Sequence, residues 1–300
     1  MMEQTIVIGL LARDCAEALQ RNISRVEELG SCFRDYHVVA YENDSRDGTA
    51  DLLRTWQQRN PHILAICETS PAISTPAAAP KCRYPQKSIA RIERMARLRN
   101  RVLDEVRQRF SPDLFCFIDI DIAGFSPATI ADAVCNAPDD WGGLFANGRL
   151  MLRNDNGDCL PAPFQYDAYA YVPIGTNPMQ TGCWLISNRF HDTTAWTFNN
   201  DLLAHRFLPC RSAFNGIGIY RWSAISHLRY RTQQTPELAP LGVSFCEHVP
   251  FHGDVISQNY GLYVVRDMEV TYGYKRRTLI RRFDYWRRIL MVRLSLALHL

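Results

Sequence analysis

The sequence predicts an α/β fold in which helices flank a mainly parallel sheet. Short apolar segments rich in β-branched residues alternate with segments of helical periodicity through the first half of the chain. Each of these apolar segments ends in a cluster of polar residues. After Pro138 the segments become shorter and richer in aromatic residues, glycine and proline. The alternation implies right-handed βαβ units, and the change after Pro138 implies a mixed second half.

Four segments have the length and the apolar content of buried strands, namely residues 5–11, 36–41, 63–67 and 114–118. Between them, apolar residues recur at helical spacing, which predicts helices over 15–29, 50–58 and 89–110. Residues 69–88 are rich in proline, alanine and serine, so we expect a mobile loop near the ligand site there.

We expect one domain with two halves and a terminal helix. Residues 1–135 form the ligand-binding half, because ligands of parallel sheets lie where the carboxyl ends of the strands emerge. Residues 136–273 form a mixed half that holds a second substrate. Residues 274–300 interleave eight basic residues with large apolar ones, the pattern of a basic amphipathic helix. Such a helix could lie in the headgroup region of an anionic membrane, or it could pack on the domain or a second subunit.

Composition and charge exclude several classes of protein. The net charge is only +3 and no basic stripe runs along the chain, so a nucleic-acid partner is not expected. The ten cysteines are scattered without a CxxC pair, which favours reduced thiols over a zinc site. The chain shows no secretory leader and no apolar segment of about 20 residues, so we expect a cytoplasmic protein, with the basic terminal helix as its one expected contact with a membrane face.

Asp119 and Asp121 directly follow the strongly apolar fourth strand. Positions two apart in an extended chain point to the same side, so both carboxylates can face a ligand while Ile120 returns to the core. Mg²⁺ and Mn²⁺ prefer one or two carboxylates together with substrate phosphates. The pair therefore predicts a divalent metal site. The alternative is a solvated Asp-x-Asp of the kind that ends many strands.

A second polar cluster, ENDSRDGT at residues 42–49, follows the second strand. Gly48 permits a tight turn, and the carboxylates of Glu42, Asp44 and Asp47 can accept hydrogen bonds from a base or a ribose. The same residues can instead cap the following helix. The cluster can contact a ligand and cap the helix at the same time, so the two interpretations are compatible.

These two clusters, with RIERMARLRNRVLDEV at 91–106 and LFCFIDIDI at 114–122, resemble the DxD-containing GT-A glycosyltransferases. The likeness is greatest to the capsule-associated α-mannosyltransferases of fungi and their bacterial and viral relatives, and it covers residues 5–125 best. It implies a GT-A-like fold, a nucleotide-sugar donor, Mn²⁺ or Mg²⁺, and a saccharide or lipid-linked saccharide acceptor. The reaction it implies is transfer of a hexose, mannose favoured, in surface polysaccharide or glycan synthesis.

The resemblance also implies roles for single residues of the first half. Glu42 and Asp44 would contact the nucleoside, with Asp47 in the same cluster. Asp119 would contact the ribose or the donor sugar as well as the metal, and Asp121 would be the metal ligand proper. Arg99, on the helix before the DxD strand, would face the donor. The alternative for Arg99 is a place on a solvated, salt-bridged helix face.

Gly216, in a segment with a second glycine at 218, marks a close approach of the backbone. The approaching group is either the donor sugar or a neighbouring strand.

The segment 246–252 resembles a glycosyltransferase motif in which two acids precede a late helix, with His248 in place of the second acid. This departure favours a retaining mechanism, or it passes the role of base to Glu247. We expect Asp121 and Glu247 to be the catalytic residues. His252, or else His248, is the expected third metal ligand, and Pro250 argues against a regular helix between the two. The alternative for either histidine is a buried ring that is hydrogen-bonded to the backbone.

Two other functions fit the same fold. A sugar-nucleotide nucleotidyltransferase usually carries a glycine-rich loop after the first strand, whereas LLARDC at residues 10–15 has no glycine. A catalytically inactive GT-A-fold interaction protein is the other alternative.

Overall fold

The computed structural model describes residues 2–69, 85–153, 159–165, 167–181, 198 and 201–276. Its strands are β1 Met2–Ala12, β2 Phe33–Asn43, β3 Ile63–Glu68, β4 Leu114–Asp119, β5 Gly124–Phe125, β6 Trp141–Arg153, β7 Cys159–Gln165, β8 Val172–Pro173, β9 Phe207–Ser212, β10 Ile217–Arg221 and β11 Gly261–Arg276. Its helices are α1 Ala16–Ser31, α2 Thr49–Arg59, α3 Ile89–Arg109, α4 Pro127–Cys135, α5 Pro178–Thr181, α6 Trp222–Ile225 and α7 His248–Ile256. Two 3₁₀ turns cover Pro85–Lys87 and Ala239–Leu241.

The first half of the chain forms a parallel sheet in the order β3-β2-β1-β4. All three strand pairs in this part are parallel, and β1 lies between β2 and β4. Because the strands run in one direction, their carboxyl ends meet at the same edge. The predicted parallel half is therefore confirmed, and each of the four predicted strands is present.

The second half extends the sheet in the order β10-β6-β11-β9-β8 beyond β4. Strand β10 is antiparallel to both of its neighbours, β4 and β6, whereas β11 runs parallel to β6. The sheet is thus parallel on one side of β4 and mixed on the other. This arrangement agrees with a mixed second half.

Helices cover both faces of the sheet, as the alternation of residues in β1 requires. Ile6 and Ile8 pack on one face with residues of α1 and α2, among them Trp56. Val7 packs on the opposite face with Val102 of α3. Burial of each such side chain contributes roughly 1.5–3 kcal/mol to folding.

Pro250 lies inside α7 and does not prevent the helix, contrary to our expectation. It occupies the first turn, where an amide has no partner within the helix, so a missing N–H costs little there. As a result His248 and His252 lie one turn apart on the same side, with ring centroids 5.4 Å apart.

Two predicted features lie wholly or mainly outside the described residues. Residues 70–84, which make up most of the predicted loop, are not described. Residues 274–276 continue β11, and 277–300 are not described, so the predicted terminal helix cannot begin before residue 277. Among the described helices, none combines the length and the apolar content that crossing a bilayer requires.

Candidate functional site

A cleft of about 280 Å³ opens at the carboxyl edge of the parallel strands. Its floor consists of strand ends, and its walls come from α3, from the turn before β10 and from the start of α7. Helix α3 presents one face to the cleft, because its lining residues follow helical spacing: Arg91, Arg94, Met95, Leu98 and Arg99. A polar cleft at this edge is the expected ligand site of such a sheet.

The strand order arranges the lining residues in a row. Tyr41 and Asn43 lie at the end of β2, and Ala12 and Arg13 follow at the end of β1. Asp119 and Asp121 come next at the end of β4. Phe214, in the turn that leads into β10, closes the row because β10 pairs with β4. An elongated ligand in this cleft would therefore lie across the strand ends from β2 to β10.

Asp119 and Asp121 both line the cleft, and the intervening Ile120 is only 1% exposed, as predicted. The amide of Asp119 donates to the carbonyl oxygen of Gly216 at 2.8 Å. A carboxylate oxygen of Asp121 accepts a hydrogen bond from the hydroxyl of Tyr272 at 3.2 Å. Both carboxylates thus occupy positions that the surrounding backbone and side chains fix.

Asn22 fixes the backbone on either side of Asp121. This α1 side chain is fully buried and donates from Nδ2 to the carbonyl oxygens of Ile120 and Ile122, at 3.1 and 2.7 Å. Sequence analysis missed the residue, although a signal exists. Asn22 interrupts the apolar face of α1 between Leu19 and Val26, which is an unfavourable place for a polar side chain without a specific partner.

Burial disfavours the charged form of the carboxyl groups of Asp119 and Asp121. Burial raises the pKa of Asp119 to about 8, although the nearby Arg99 opposes the shift, and burial also raises the pKa of Asp121. Burial makes the ionised form of the two carboxylates unfavourable, and a cation bound between them would stabilise that ionised form. The donor set consists of hard oxygens, which suits Mg²⁺ or Mn²⁺, so the predicted metal fits these residues.

Arg99 lines the cleft, yet its guanidinium is engaged by protein groups. It is 4% exposed, and its Nε donates to Oε1 of Glu247 at 3.1 Å while Nη2 lies 3.8 Å from Oδ1 of Asp119. The guanidinium carbon lies 4.6 Å from the centroid of the Phe214 ring. The interpretation of Arg99 as part of a solvated helix face is therefore wrong, whereas its contact with the donor stays a prediction, since the residue lines the cleft. It links Glu247 to the DxD strand.

Glu42, Asp44 and Asp47 are not among the residues that line the cleft, so its geometry does not support the nucleoside contact predicted for Glu42 and Asp44, which stays a prediction. Side chains alternate along an extended strand, so Glu42 points away from the face that Tyr41 and Asn43 present. The Glu42 carboxylate accepts from the amide of Ser45 at 2.7 Å and stabilises the turn.

Asp44 and Asp47 also serve the loop after β2. Asp44 has a left-handed backbone, with φ of 59°, and its carboxylate accepts a hydrogen bond from the side-chain Nδ2 of Asn43. Asp47 accepts from the amide of Ala16 and from the hydroxyl of Thr49, at 2.9 and 2.6 Å. Asp47 also accepts from the amide of Thr49 at 3.1 Å and so contacts the start of α2, but the capping position of that helix is Gly48, which has no side-chain cap.

His252 is not a metal ligand in this structure, because both ring nitrogens are engaged elsewhere. Nδ1 pairs with the hydroxyl of Ser212 and Nε2 with that of Tyr220, both at 2.9 Å. The ring is fully buried and does not line the cleft. Burial and the nearby Arg99 lower the pKa of His252 to about 3. The alternative of a buried, hydrogen-bonded histidine applies, with side chains as partners in place of the backbone.

His248 lies in the cleft wall without the predicted hydrogen bond to the backbone of the described residues, and Gly216 lies beside a neighbouring strand, which is one of its two predicted environments. His248 lines the cleft and is 1% exposed, and neither ring nitrogen has a hydrogen-bond partner among the described residues. Gly216 has a φ of 92°, a left-handed conformation that favours glycine. Its carbonyl contacts the neighbouring strand at Asp119, so the strand alternative holds for the approach at Gly216.

Asp167 is a further acidic residue of the cleft that sequence analysis missed. It lies in a turn with a φ of 65°, and burial together with Glu247 raises its pKa to about 7. The surrounding sequence has no periodicity, so no pattern marked the residue.

A separate group of possible metal ligands lies far from the cleft. Asp35, His37 and His62 have side chains close enough to share an ion, and they form the one such group found among the described residues. They lie at the amino end of β2 or just before β3, which is the opposite edge of the sheet. His62 Nδ1 contacts the carbonyl oxygen of Tyr36 at 2.7 Å, so a protein partner already engages that nitrogen.

Comparison with solved structures gives distant likenesses. The mannosyltransferase PcManGT from Pyrobaculum calidifontis, in complex with GDP-Man and Mn²⁺, is 11% identical with a TM-score of 0.45, over 90% of this chain and 57% of that one. S. aureus TarS 1–349 in complex with UDP-GlcNAc is 12% identical with a TM-score of 0.45, over 92% and 60%. S. aureus TarS is 11% identical with a TM-score of 0.47, over 94% and 38%. This chain thus spans less than two thirds of each of these proteins.

Comparison with protein families gives a match over most of the chain. No curated protein matches the chain in sequence. The family model described as Cryptococcal mannosyltransferase 1 matches residues 5–254, which include all strand ends of the cleft, the turn before β10 and most of α7. The chain therefore belongs to this family of glycosyltransferases.

Proposed function

We propose that this protein is a metal-dependent glycosyltransferase that moves a hexose from a nucleotide sugar to a saccharide or lipid-linked saccharide. The observation that carries the proposal is the placement of Asp119 and Asp121 together in a cleft at the carboxyl edge of the sheet. Mannose is favoured as the sugar because the matching family is described as a mannosyltransferase family.

The row of lining residues suggests how the donor lies. Tyr41 and Asn43 at the end of β2 would contact the nucleoside, in the place that we first gave to Glu42 and Asp44. The diphosphate would lie at Asp119 and Asp121. Arg91 and Arg94 of α3 line the same cleft and are positioned to offset phosphate charge, although Arg91 also donates to the carbonyl of Gln86. The sugar would then lie towards Phe214, beyond the DxD strand.

Asp121 and Asp119 would hold the metal, Mn²⁺ or Mg²⁺. When bound, such an ion supplies Lewis-acid stabilisation of the charge on the departing nucleoside diphosphate. The chain's own residues prepare this position. Asn22 fixes the backbone around Asp121, and Arg99 compensates part of the negative charge of Asp119 and Glu247.

Retention of the anomeric configuration is the favoured outcome, on the basis of the residues at the start of α7. An inverting enzyme needs a base for the acceptor hydroxyl, and the position at which related motifs have a second acid carries His248. The remaining acid, Glu247, has one carboxylate oxygen paired with Arg99. Within this proposal, Glu247 acts by placing negative charge beside the transferred sugar.

The test is a panel of GDP- and UDP-sugars measured with the purified protein in the presence and absence of Mn²⁺. A donor present at 100 times its Kd should add about 2.7 kcal/mol to the apparent stability. We expect Mn²⁺-dependent stabilisation and slow hydrolysis of one donor, both lost in Asp121→Asn. Asp139→Asn, which changes an exposed acid, is the matched control and should behave as the wild type.

Each other outcome identifies an alternative function. Stabilisation without turnover, with or without added saccharide acceptors, would favour the catalytically inactive interaction protein. Formation of a nucleotide sugar from a sugar phosphate would favour the nucleotidyltransferase. Absence of any nucleotide binding would overturn the proposal.

A further inference from the structure

His248 is a buried polar side chain whose ring nitrogens lack a hydrogen bond within the described part of the chain, although Oε1 of Glu247 lies 3.9 Å from Nε2. The ring is 1% exposed, and neither Nδ1 nor Nε2 forms a hydrogen bond with any described residue. Most buried side-chain polar atoms in proteins have a partner, since an unpaired one costs free energy. Because His248 forms part of the wall of the cleft, a bound ligand can supply the missing partner.

Three neighbouring rings fix the position of His248. It stacks on Phe214 with centroids 4.4 Å apart and an interplanar angle of 17°, and it meets Tyr230 edge-on at 5.3 Å. On the remaining side it stacks on His252 at 5.4 Å. This packing holds the imidazole in a defined orientation, as a residue that recognises a ligand requires.

The charge of the surroundings selects the kind of ligand. Burial, Arg99 and His252 all lower the pKa of His248 well below its ordinary value, so the ring is neutral. A neutral imidazole offers one donor and one acceptor, and a hydroxyl group can satisfy either. A phosphate, which lacks a donor when fully ionised, matches this pair of groups less well.

The place of His248 in the row of lining residues indicates which part of the donor it meets. Its ring packs on Phe214, which lies at the β10 end of the cleft beyond Asp119. With the nucleoside over β2 and β1 and the diphosphate at the end of β4, the part of the donor that reaches this end is the sugar. This step rests on the proposed function.

We propose that His248 hydrogen-bonds a hydroxyl group of the hexose carried by the donor, and thereby contributes to the choice of sugar. The residue is then a donor-binding residue where related motifs have an acid. Arg99 and Glu247, both buried beside it, hold its surroundings in place.

The test compares the affinity for the donor with the affinity for the corresponding nucleoside diphosphate, both with Mn²⁺ and by calorimetry. In His248→Leu, the affinity for the nucleotide sugar should fall about three- to tenfold, the range for one hydrogen bond, while the diphosphate binds as before. His248→Gln, which keeps a donor and an acceptor, should recover part of the loss. Tyr220→Phe is the matched control, because it removes an internal hydrogen bond of His252 but keeps the ring that stacks on His248, and it should lower the melting temperature without a selective loss of sugar affinity.

Deoxy-sugar donors identify the hydroxyl. For the donor that lacks the contacted hydroxyl, the wild type and His248→Leu should bind equally well, whereas the other deoxy donors should keep the difference. Equal loss of affinity for donor and diphosphate, or no loss at all, would overturn the proposal. Slower transfer with unchanged donor affinity would assign the hydroxyl to the acceptor and also overturn it.

The two proposals can fail separately. If the wild type binds no nucleotide or nucleotide sugar, the proposed function fails and the assignment of His248 fails with it. If the wild type binds the donor and His248→Leu binds it equally well, only the assignment of His248 fails. Should His248→Leu not fold, His248→Phe, which keeps a stacked ring but offers neither donor nor acceptor, gives the same comparison.

Discussion

Asn22 donates one hydrogen bond to the carbonyl oxygen of Ile120 and a shorter one to that of Ile122, so a single amide spans the backbone of Asp121. These oxygens belong to the segment that leaves β4, where ladder hydrogen bonds no longer hold the chain. A helix on one face of the sheet thus fixes the direction of a carboxylate at its edge.

We predict that Asn22→Ala destabilises the protein and weakens metal-dependent donor binding together. Loss of the amide leaves the carbonyl oxygen of Ile120 without its side-chain donor and that of Ile122 with Arg21 alone, at 3.2 Å, which costs roughly 1–3 kcal/mol. Chemical denaturation and Mn²⁺ titration in the presence of donor measure the two effects. Gln20→Ala, on the exposed side of the same helix, is the control. A variant that loses stability but keeps full donor affinity would contradict the role of Asn22 in placing Asp121.

We predict that Arg99→Met is strongly destabilising, by about 3–5 kcal/mol, because it leaves buried carboxylates without their cation. Glu247→Gln in the same chain should restore part of this loss, since it removes one of the two charges that Arg99 compensates. Urea denaturation of the two single variants and the double variant gives the coupling energy. Arg97→Met, an exposed change on the same helix, should have little effect, and additive losses in the double variant would exclude a direct pair.

We predict that the difference in stability between Asp167→Asn and the wild type shifts in favour of the variant as the pH rises from 5 to 8. The pKa of Asp167 is raised from 3.8 to about 7, so the folded state retains a proton that the unfolded state releases between these values. The stability that Asp167 contributes is therefore lost as the pH rises through this window, and asparagine cannot undergo the loss. Melting temperatures measured from pH 5 to pH 8 should show a widening gap of a few degrees. A constant gap would contradict the raised pKa, and Asp139→Asn serves as the reference.

We predict that Cys15 reacts slowly with alkylating reagents at pH 7.5 even though it lines the cleft. Burial raises the pKa of the thiol to about 11, and the thiolate is the reactive form. The exposed Cys135 should be modified first, as peptide mass spectrometry after iodoacetamide treatment would measure. Equal rates at both cysteines would mean that Cys15 is more open than its surroundings suggest.

Features that follow from a local sequence pattern could be predicted, whereas features that depend on contacts between distant residues could not. The strands and the outward direction of Asp119 and Asp121 follow from apolar segments and from the two-residue period of an extended chain, so they were predictable. The same period, applied to β2, would have placed Asn43 rather than Glu42 at the cleft. The engagement of Arg99 by Glu247 joins residues 148 positions apart, and the partners of His252 lie on two distant strands, so no local pattern carries that information.

The reversal of strand direction between β4 and β10 determines where a ligand can bind. The chain enters β10 through the turn at Phe214 and Gly216, beside the exit of β4, so the two strands leave open space above their shared edge. This space depends on the connection between strands and not on any one lining side chain. Variants such as Asp121→Asn should consequently keep the shape of the cavity. Any loss of binding in them then reports the loss of the carboxylate and not a change of shape.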